Sequence, residues 1–222
     1  MKTRPILFSG PMVRALLAGR KTQTRRVVKK SWWGEKDPNE DTPSLLLASI
    51  LRESPYGQPG DRLWVRETWR TEVDGFVFRA DESERSTAEE RTVRRVAPTV
   101  GRDVYGPAWR PSIHMPRRAC RLELEVTGVR VERLQEISEG DARAEGVEPF
   151  YEADMDGSGQ RLDGPSHAYR VGYHDLWDSL NERRGFGWDT SPWVWVVSFR
   201  VDRAVAVTIQ AGQDSTAAAD PW

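Results

Sequence analysis

The chain has 222 residues, with 33 Lys or Arg against 34 Asp or Glu, a formal charge of −1. A chain of this length buries roughly 70% of the surface its unfolded form exposes, enough for one substantial domain. The near-balance of charge excludes a coat for long duplexes. The single Cys120 excludes an internal disulfide framework and fits a reducing compartment. Neither a signal-peptide run at Met1 to Phe8 nor the roughly 20 apolar residues of a membrane span occurs. The expectation is a soluble, cytoplasmic protein without a membrane partner.

In chain order, Pro5 to Phe8 reads as a strand, and Ser9-Gly10-Pro11 turns into a helix with proline near its first position. Met12, Ala15 and Leu16 recur at i, i+3, i+4, and Gly19 stops that helix. Lys21 to Arg26 is then expected on a loop or turn. Residues 31–60 carry five acids, two bases and several prolines and glycines, and read as an insertion with one short helix from about Ser44 to Arg52. Strands follow at Arg62 to Glu67 and Gly75 to Ala80, and Asp81 to Arg95 is a charged helix or loop with no chemistry assigned. Between Cys120 and Leu134, Leu122, Leu124, Val126 and then Val129, Val131 alternate, with Gly128 as a bend between two half-strands. A short helix is expected over Ser138 to Glu145, with Ser138 as N-cap, Asp141 three residues on and Gly146 as terminator. A longer helix spans Tyr169 to Arg183 with Tyr173, Trp177 and Leu180 on one stripe. Trp193 to Val201 is the last strand. Beyond about Val207 the composition predicts a disordered tail. Several strands with helices inserted between them predict an α+β fold built on a small mixed barrel.

The basicity is local. Residues 1–30 hold nine Lys or Arg and no Asp or Glu. The segment Arg20-Lys21-Thr22-Gln23-Thr24-Arg25-Arg26 concentrates an amine, two hydroxyls and three guanidinium groups, which suits an anionic or nucleobase-bearing ligand. The competing reading is a solvated basic loop.

Five segments, in one order, carry a resemblance: Leu17-Ala18-Gly19-Arg20-Lys21-Thr22 with Thr24 and Arg25; Gly60 to Glu67; Ser112 to Arg117; Ile137-Ser138-Glu139 to Ala142 with Glu145-Gly146; and Pro192 to Trp195. Together they resemble the ASCH family of the PUA-like superfamily, specifically its longer phage and prophage members. The resemblance implies a PUA-like mixed β-barrel with short helices packed around it and a cleft facing nucleotides or RNA. Residues 1–207 would form that domain, with insertions near 31–60, 81–110 and 148–166, and 208–222 the tail. A phage origin would place the protein in the cytoplasm of a bacterial host. Small amidohydrolases of this family, which remove the acetyl group from N(4)-acetylcytidine, are similar at three catalytic positions: their lysine at Lys21, their threonine at Thr24 and their glutamate at Glu145. The insertions leave the substrate more open than the chemistry.

The same trio makes sense from the residues. A threonine hydroxyl needs a base, and a lysine desolvated or crowded by Arg20, Arg25 and Arg26 loses basicity enough to serve. A glutamate in the last turn of a helix meets the negative end of the dipole, which favours the protonated acid that could release an amine. The competing reading of Glu145 is a helix-surface residue.

Other candidates line a substrate surface. Trp64 alternates along its strand and could face a cleft; Trp32, Trp33, Trp69 and Trp109 flank basic or loop residues and could stack on a base. Trp177, Trp193 and Trp195 read as core. Glu67 could accept hydrogen bonds from an exocyclic amine or pair with Arg66, Arg70 or a residue of the basic segment. Arg110, His114, Arg117 and Arg118 could meet phosphates or form a solvated rim. No metal and no cofactor is expected, since His114, His167, His174 and Cys120 lack ligand spacing. The stretch Glu152 to Asp163 reads as a polar turn more than a calcium loop. Three functions follow for a modified nucleoside or RNA partner: an acyl-removing hydrolase, a non-catalytic RNA- or modified-base-binding module, and a metal-independent ribonuclease. The sequence says nothing of oligomeric state.

Overall fold

The computed structural model describes residues 1–29, 44–72, 75–82, 108–150 and 168–204. The elements are β1 (Thr3–Leu7), α1 (Gly10–Leu17), β2 (Gln23–Val27), α2 (Ser44–Arg52), β3 (Arg62–Arg66), β4 (Trp69–Glu72), β5 (Gly75–Phe78), β6 (Leu122–Arg133), α3 (Glu139–Ala144), α4 (Ala168–Asn181) and β7 (Trp193–Ala204). The class is α+β. A five-stranded mixed sheet runs in the order β1-β3-β6-β7-β2, and β4 and β5 form a separate hairpin. β1 and β3 are parallel, with Leu7 opposite Arg66; the other pairings are antiparallel. Among the described residues no strand pairing joins the outer strands β1 and β2 into a closed ring. A side-chain hydrogen bond spans them instead, from Arg26 Nη2 to the Leu7 carbonyl at 2.7 Å.

Alternation explains the sheet. Ile6 and Phe8 of the first strand region, Leu63 and Val65 of β3, and Leu122, Leu124 and Val126 of β6 turn inward. They join Val13 and Leu16 of α1 with Trp195, Val197 and Phe199 of β7 in the main core. β7 is buried on both faces, so it reads as a continuous apolar run. Its Val194 and Val196 face a second core with Ala142 of α3 and Tyr173 and Trp177 of α4. β6 is one long strand, not two, and the expected irregularity is a register shift between Val126 and Gly128.

Several expectations are corrected. Of the Lys21 to Arg26 segment only Lys21 and Thr22 form the expected connection: Gln23–Val27 is strand β2, paired residue for residue with β7 from Ser198 to Val194. Its polar residues tolerate this because the face carrying Gln23 and Arg25 meets charged partners on β6 and α3. β4 was not foreseen, and the strand expected to reach Ala80 stops at Phe78, where Arg79–Asp81 forms a 3-10 turn. Leu180 is 60% exposed, and Asn181 takes the buried place below Trp177, donating from Nδ2 to the Trp177 carbonyl. The helix in the 31–60 insertion is α2. Trp32 and Trp33, most of the 81–110 and 148–166 insertions, the Glu152 to Asp163 stretch and the 208–222 tail lie outside the described residues. Among those described, no helix is long and apolar enough to cross a membrane.

Candidate functional site

The site forms where the exit of α1, the start of β2 and the end of α3 meet. Gly19 adopts φ +70°, and both Arg20 and Lys21 donate their backbone N–H to the Ala15 carbonyl, closing the end of α1. Thr22 N–H then bonds the Ala144 carbonyl at 2.8 Å, fastening the entry of β2 to α3. α3 starts as the sequence reading expects, with the Ser138 hydroxyl accepting from Asp141 N–H. Glu145 is its C-cap and Gly146 follows at φ +80°. A Cβ on Gly146 would stand 2.8 Å from the Lys21 Cβ and 2.9 Å from the Ala15 Cβ, so only glycine lets these three elements close.

This closure brings Lys21 and Glu145 together, 124 residues apart in sequence. Lys21 Nζ donates to Glu145 Oε2 at 2.8 Å and to the Glu145 carbonyl at 2.7 Å. The side chains are 2% and 4% exposed. Burial drives the Lys21 pKa below its ordinary 10.5, against the pull of Glu145, and the Arg26 and Arg25 charges lower it further. The amine also lies 5.6 Å from the centre of the Phe8 ring.

Arg25 sets the other side of Glu145. Its side chain is fully buried, with Nη1 3.3 Å from Glu145 Oε1 and 2.7 Å from Gln23 Oε1. Its Nη2 reaches Glu132 Oε1 at 2.6 Å and Asp141 Oδ2 at 3.2 Å. Arg130, opposite Arg25 across β7, bonds both Glu132 and Asp141. Burial would raise Asp141, but the charges of Arg25 and Arg130 and hydrogen bonds from Gln23 and Arg25 outweigh it and hold the carboxyl below its usual range. Burial, then the Glu145 charge, pushes the Tyr173 hydroxyl well above its ordinary pKa. Arg25 therefore has no free donor face for substrate, unlike its sequence-based assignment, and is a fixed cation inside the protein.

Thr24 is buried but on the opposite pleat of β2 from Gln23 and Arg25, and it makes no hydrogen bond to Lys21 or Glu145. It shares that face with Arg26, whose guanidinium lies 5.3 Å from the same Phe8 ring that Lys21 covers. Arg20 points outward and pairs with Glu148, between two open pockets of about 340 and 410 Å³ that also reach Val147.

The remaining candidates sit elsewhere. Glu67 is buried, with both oxygens held by Arg121, Oε1 at 2.8 Å and Oε2 at 2.9 Å, and Arg121 reaches on to Asp81 at 2.8 Å. Burial raises the Glu67 pKa against those hydrogen bonds. Its oxygens are spent on a partner the sequence reading did not name, so it offers no acceptor to an exocyclic amine. Trp69 is 3% exposed against Phe76 and stacks on nothing outside the protein. Over the Trp64 ring, expected to face a cleft, lie Arg66 at 5.2 Å and Arg117 at 5.4 Å, so guanidinium groups occupy that face. His114 is exposed in a 3-10 turn on that side. Among the described residues no group of three or more His, Cys, Asp or Glu is arranged to hold a metal ion.

Gln23, Arg130, Glu132, Asp141 and Phe8 were missed. From sequence Asp141 has only a capping role, and the i, i+2 spacing of Gln23 with Arg25 and of Arg130 with Glu132 becomes a signal once both segments are known to be strands.

The chain is similar in structure to the crystal structure of an ASCH domain from Lactobacillus crispatus JV V101, at 13% identity over 90% of this chain and 79% of that one, with a TM-score of 0.38. No family model and no curated protein matches it.

Proposed function

We propose that the protein is a hydrolase removing an acyl group from the exocyclic amine of a modified nucleobase, of the N(4)-acetylcytidine type. The observation that carries the reading is the buried Lys21–Glu145 pair. A neutral Lys21 amine has two donors and one lone pair. Both donors are accounted for by the Glu145 carboxylate and carbonyl, which leaves the lone pair as the base.

Lys21 takes a proton from a water as its oxygen bonds the acyl carbon. Glu145, linked to the same proton, returns it to the departing N4 nitrogen, the C–N bond breaks, and the products are a free amine and a carboxylic acid. Thr24 shares the Arg26 side of β2 and has no direct bond to Lys21, which suits a hydroxyl that orients the water better than a nucleophile that gives Lys21 its proton. Lys21 also caps the carbonyl end of α3, and that structural part would hold it in place whatever the chemistry.

The test is incubation of purified protein with N(4)-acetylcytidine, with cytidine and acetate followed by chromatography. Intact substrate under conditions where its binding is demonstrable overturns the reading. A second reading, a non-catalytic binding module for RNA or a modified base, is favoured by the small exposure of Lys21 and Glu145, because binding alone needs no access to the amine. Binding without turnover selects it, and fragmentation of metal-free RNA on a gel selects a ribonuclease instead.

A further inference from the structure

Charge is distributed unevenly over the outward face of β1 and β3. At one end Arg62 is neutralised by Asp202 at 2.8 Å, and nearby Arg200 by Glu125 at 2.7 Å. At the other end residues 108–122 contain four arginines and no Asp or Glu. Of these, Arg121 is consumed inside the protein by Glu67 and Asp81, and Arg117 pairs with Glu123 while covering Trp64. Arg118 is exposed, and among the described residues no carboxylate pairs with it. Arg66 is likewise without a carboxylate. Its guanidinium is steadied by the Ile113 carbonyl and the Trp64 ring, contacts that orient the fork without cancelling its charge.

This cationic end runs to the Lys21 site. Arg66 stands opposite Leu7 in the parallel register, and Phe8 N–H bonds the Arg66 carbonyl at 3.1 Å. The Leu7 carbonyl accepts from Arg26, and Arg26 and Lys21 cover the same Phe8 ring. Among the described residues no carboxylate pairs with Arg26 either; it meets a carbonyl and a ring.

We propose that Arg66 and Arg118, continuing past Leu7 to Arg26, bind the phosphate backbone of a single-stranded polynucleotide whose modified base enters the Lys21 site. The inference rests on the nucleobase reading above and narrows it from a free nucleoside to a polymer. Fixed guanidinium forks beside a base site match a repeating phosphate, and the near-neutral remainder of the molecule confines the attraction to this track.

The test is fluorescence anisotropy of a labelled, unmodified oligocytidylate between about 50 and 200 mM salt. Arg118→Ala and Arg66→Ala should each weaken binding and reduce the slope of log K against log salt by about 0.7, the single-strand value per phosphate contact. Arg200→Ala, which removes a charge already paired with Glu125, should leave both unchanged. Arg118 is exposed, so its variant keeps the test informative if Arg66→Ala fails to fold. Wild-type slopes in both variants overturn the proposal, as does equal weakening by Arg200→Ala. So does capture by anionic phospholipid vesicles that competes with the oligonucleotide. Because the readout is binding, a protein that holds oligocytidylate through Arg66 and Arg118 yet leaves N(4)-acetylcytidine intact loses the amide hydrolysis and keeps this inference; the converse result does the reverse.

Discussion

At one side of the sheet Glu67 gives both oxygens to the fork of Arg121, which in turn grips Asp81, in a cluster where donors and acceptors match. At the other, Glu145 divides its oxygens between Arg25 and Lys21. Both carboxylates are buried and both meet cations. An arginine remains charged in any protein and its geometry is saturated by a carboxylate, so the Glu67 cluster can only hold structure. A buried lysine can lose its proton, so the Glu145 cluster has a second state available to it. Under the proposed function, the contrast assigns stability to one and chemistry to the other.

The sharpest way to break that assignment is Lys21→Met, which keeps the apolar stem and removes the base. Turnover of N(4)-acetylcytidine should fall roughly 100- to 10,000-fold, the usual share of a general base. Initial rates measure it, and near wild-type rates would make the Lys21 site as structural as the Glu67 cluster.

The matching experiment on the other side is Arg121→Met. It leaves Glu67 ionisable and buried without its partner, and should cost about 3–5 kcal/mol of stability, read from urea unfolding midpoints. A loss below about 1 kcal/mol would mean that water reaches Glu67 and that the cluster is not closed. Gly146→Ala falls between the two regions in kind. A side chain at φ +80°, overlapping the Lys21 and Ala15 Cβ atoms, should cost roughly 1–3 kcal/mol. It should also lower turnover by moving Lys21 off Glu145, and an unaltered rate would show that the chemistry does not depend on this junction.

The two regions also differ in how much of them could be read from sequence. The resemblance puts Lys21, Thr24 and Glu145 forward as a set, of which the structure brings Lys21 against Glu145 and leaves Thr24 on the other face of β2; the Ser138 cap and Gly146 stop were legible from local chemistry. The environment of Lys21 was not. Basic, polar Gln23-Thr24-Arg25-Arg26 has little apolar alternation, so its strand character appears only through pairing with β7, whose run from Val194 to Val197 is buried on both faces. That pairing turns Arg25 from a surface cation into a buried one. The Glu67–Arg121 pair was hidden for a different reason: 54 residues separate its members, and nothing in the alternation of either strand fixes which arginine a carboxylate will meet. Register and partner choice are tertiary properties, and the residues that depend on them were the ones misassigned.

The pH dependence carries the smallest effect and bears most directly on the comparison. Lys21 has a folded pKa below the 10.5 it regains on unfolding. Between those values the unfolded chain holds a proton that the folded chain has released, so unfolding takes up protons and stability rises with pH across that window. Below the window both forms are protonated and the cost of a buried ammonium is fully present; above it both are neutral and that cost is gone. The difference in unfolding free energy between wild type and Lys21→Met should therefore climb in favour of wild type as pH rises toward 10.5, and level off beyond it. The kcat/KM of wild type should rise through the same lowered pKa, because in the proposed mechanism the free amine is the active form. A ¹³C-labelled lysine titration can place the inflection, since the chain contains only five lysines. A Lys21 resonance titrating at or above 10.5 would remove the second protonation state and return Lys21 to the role of a cap on α3.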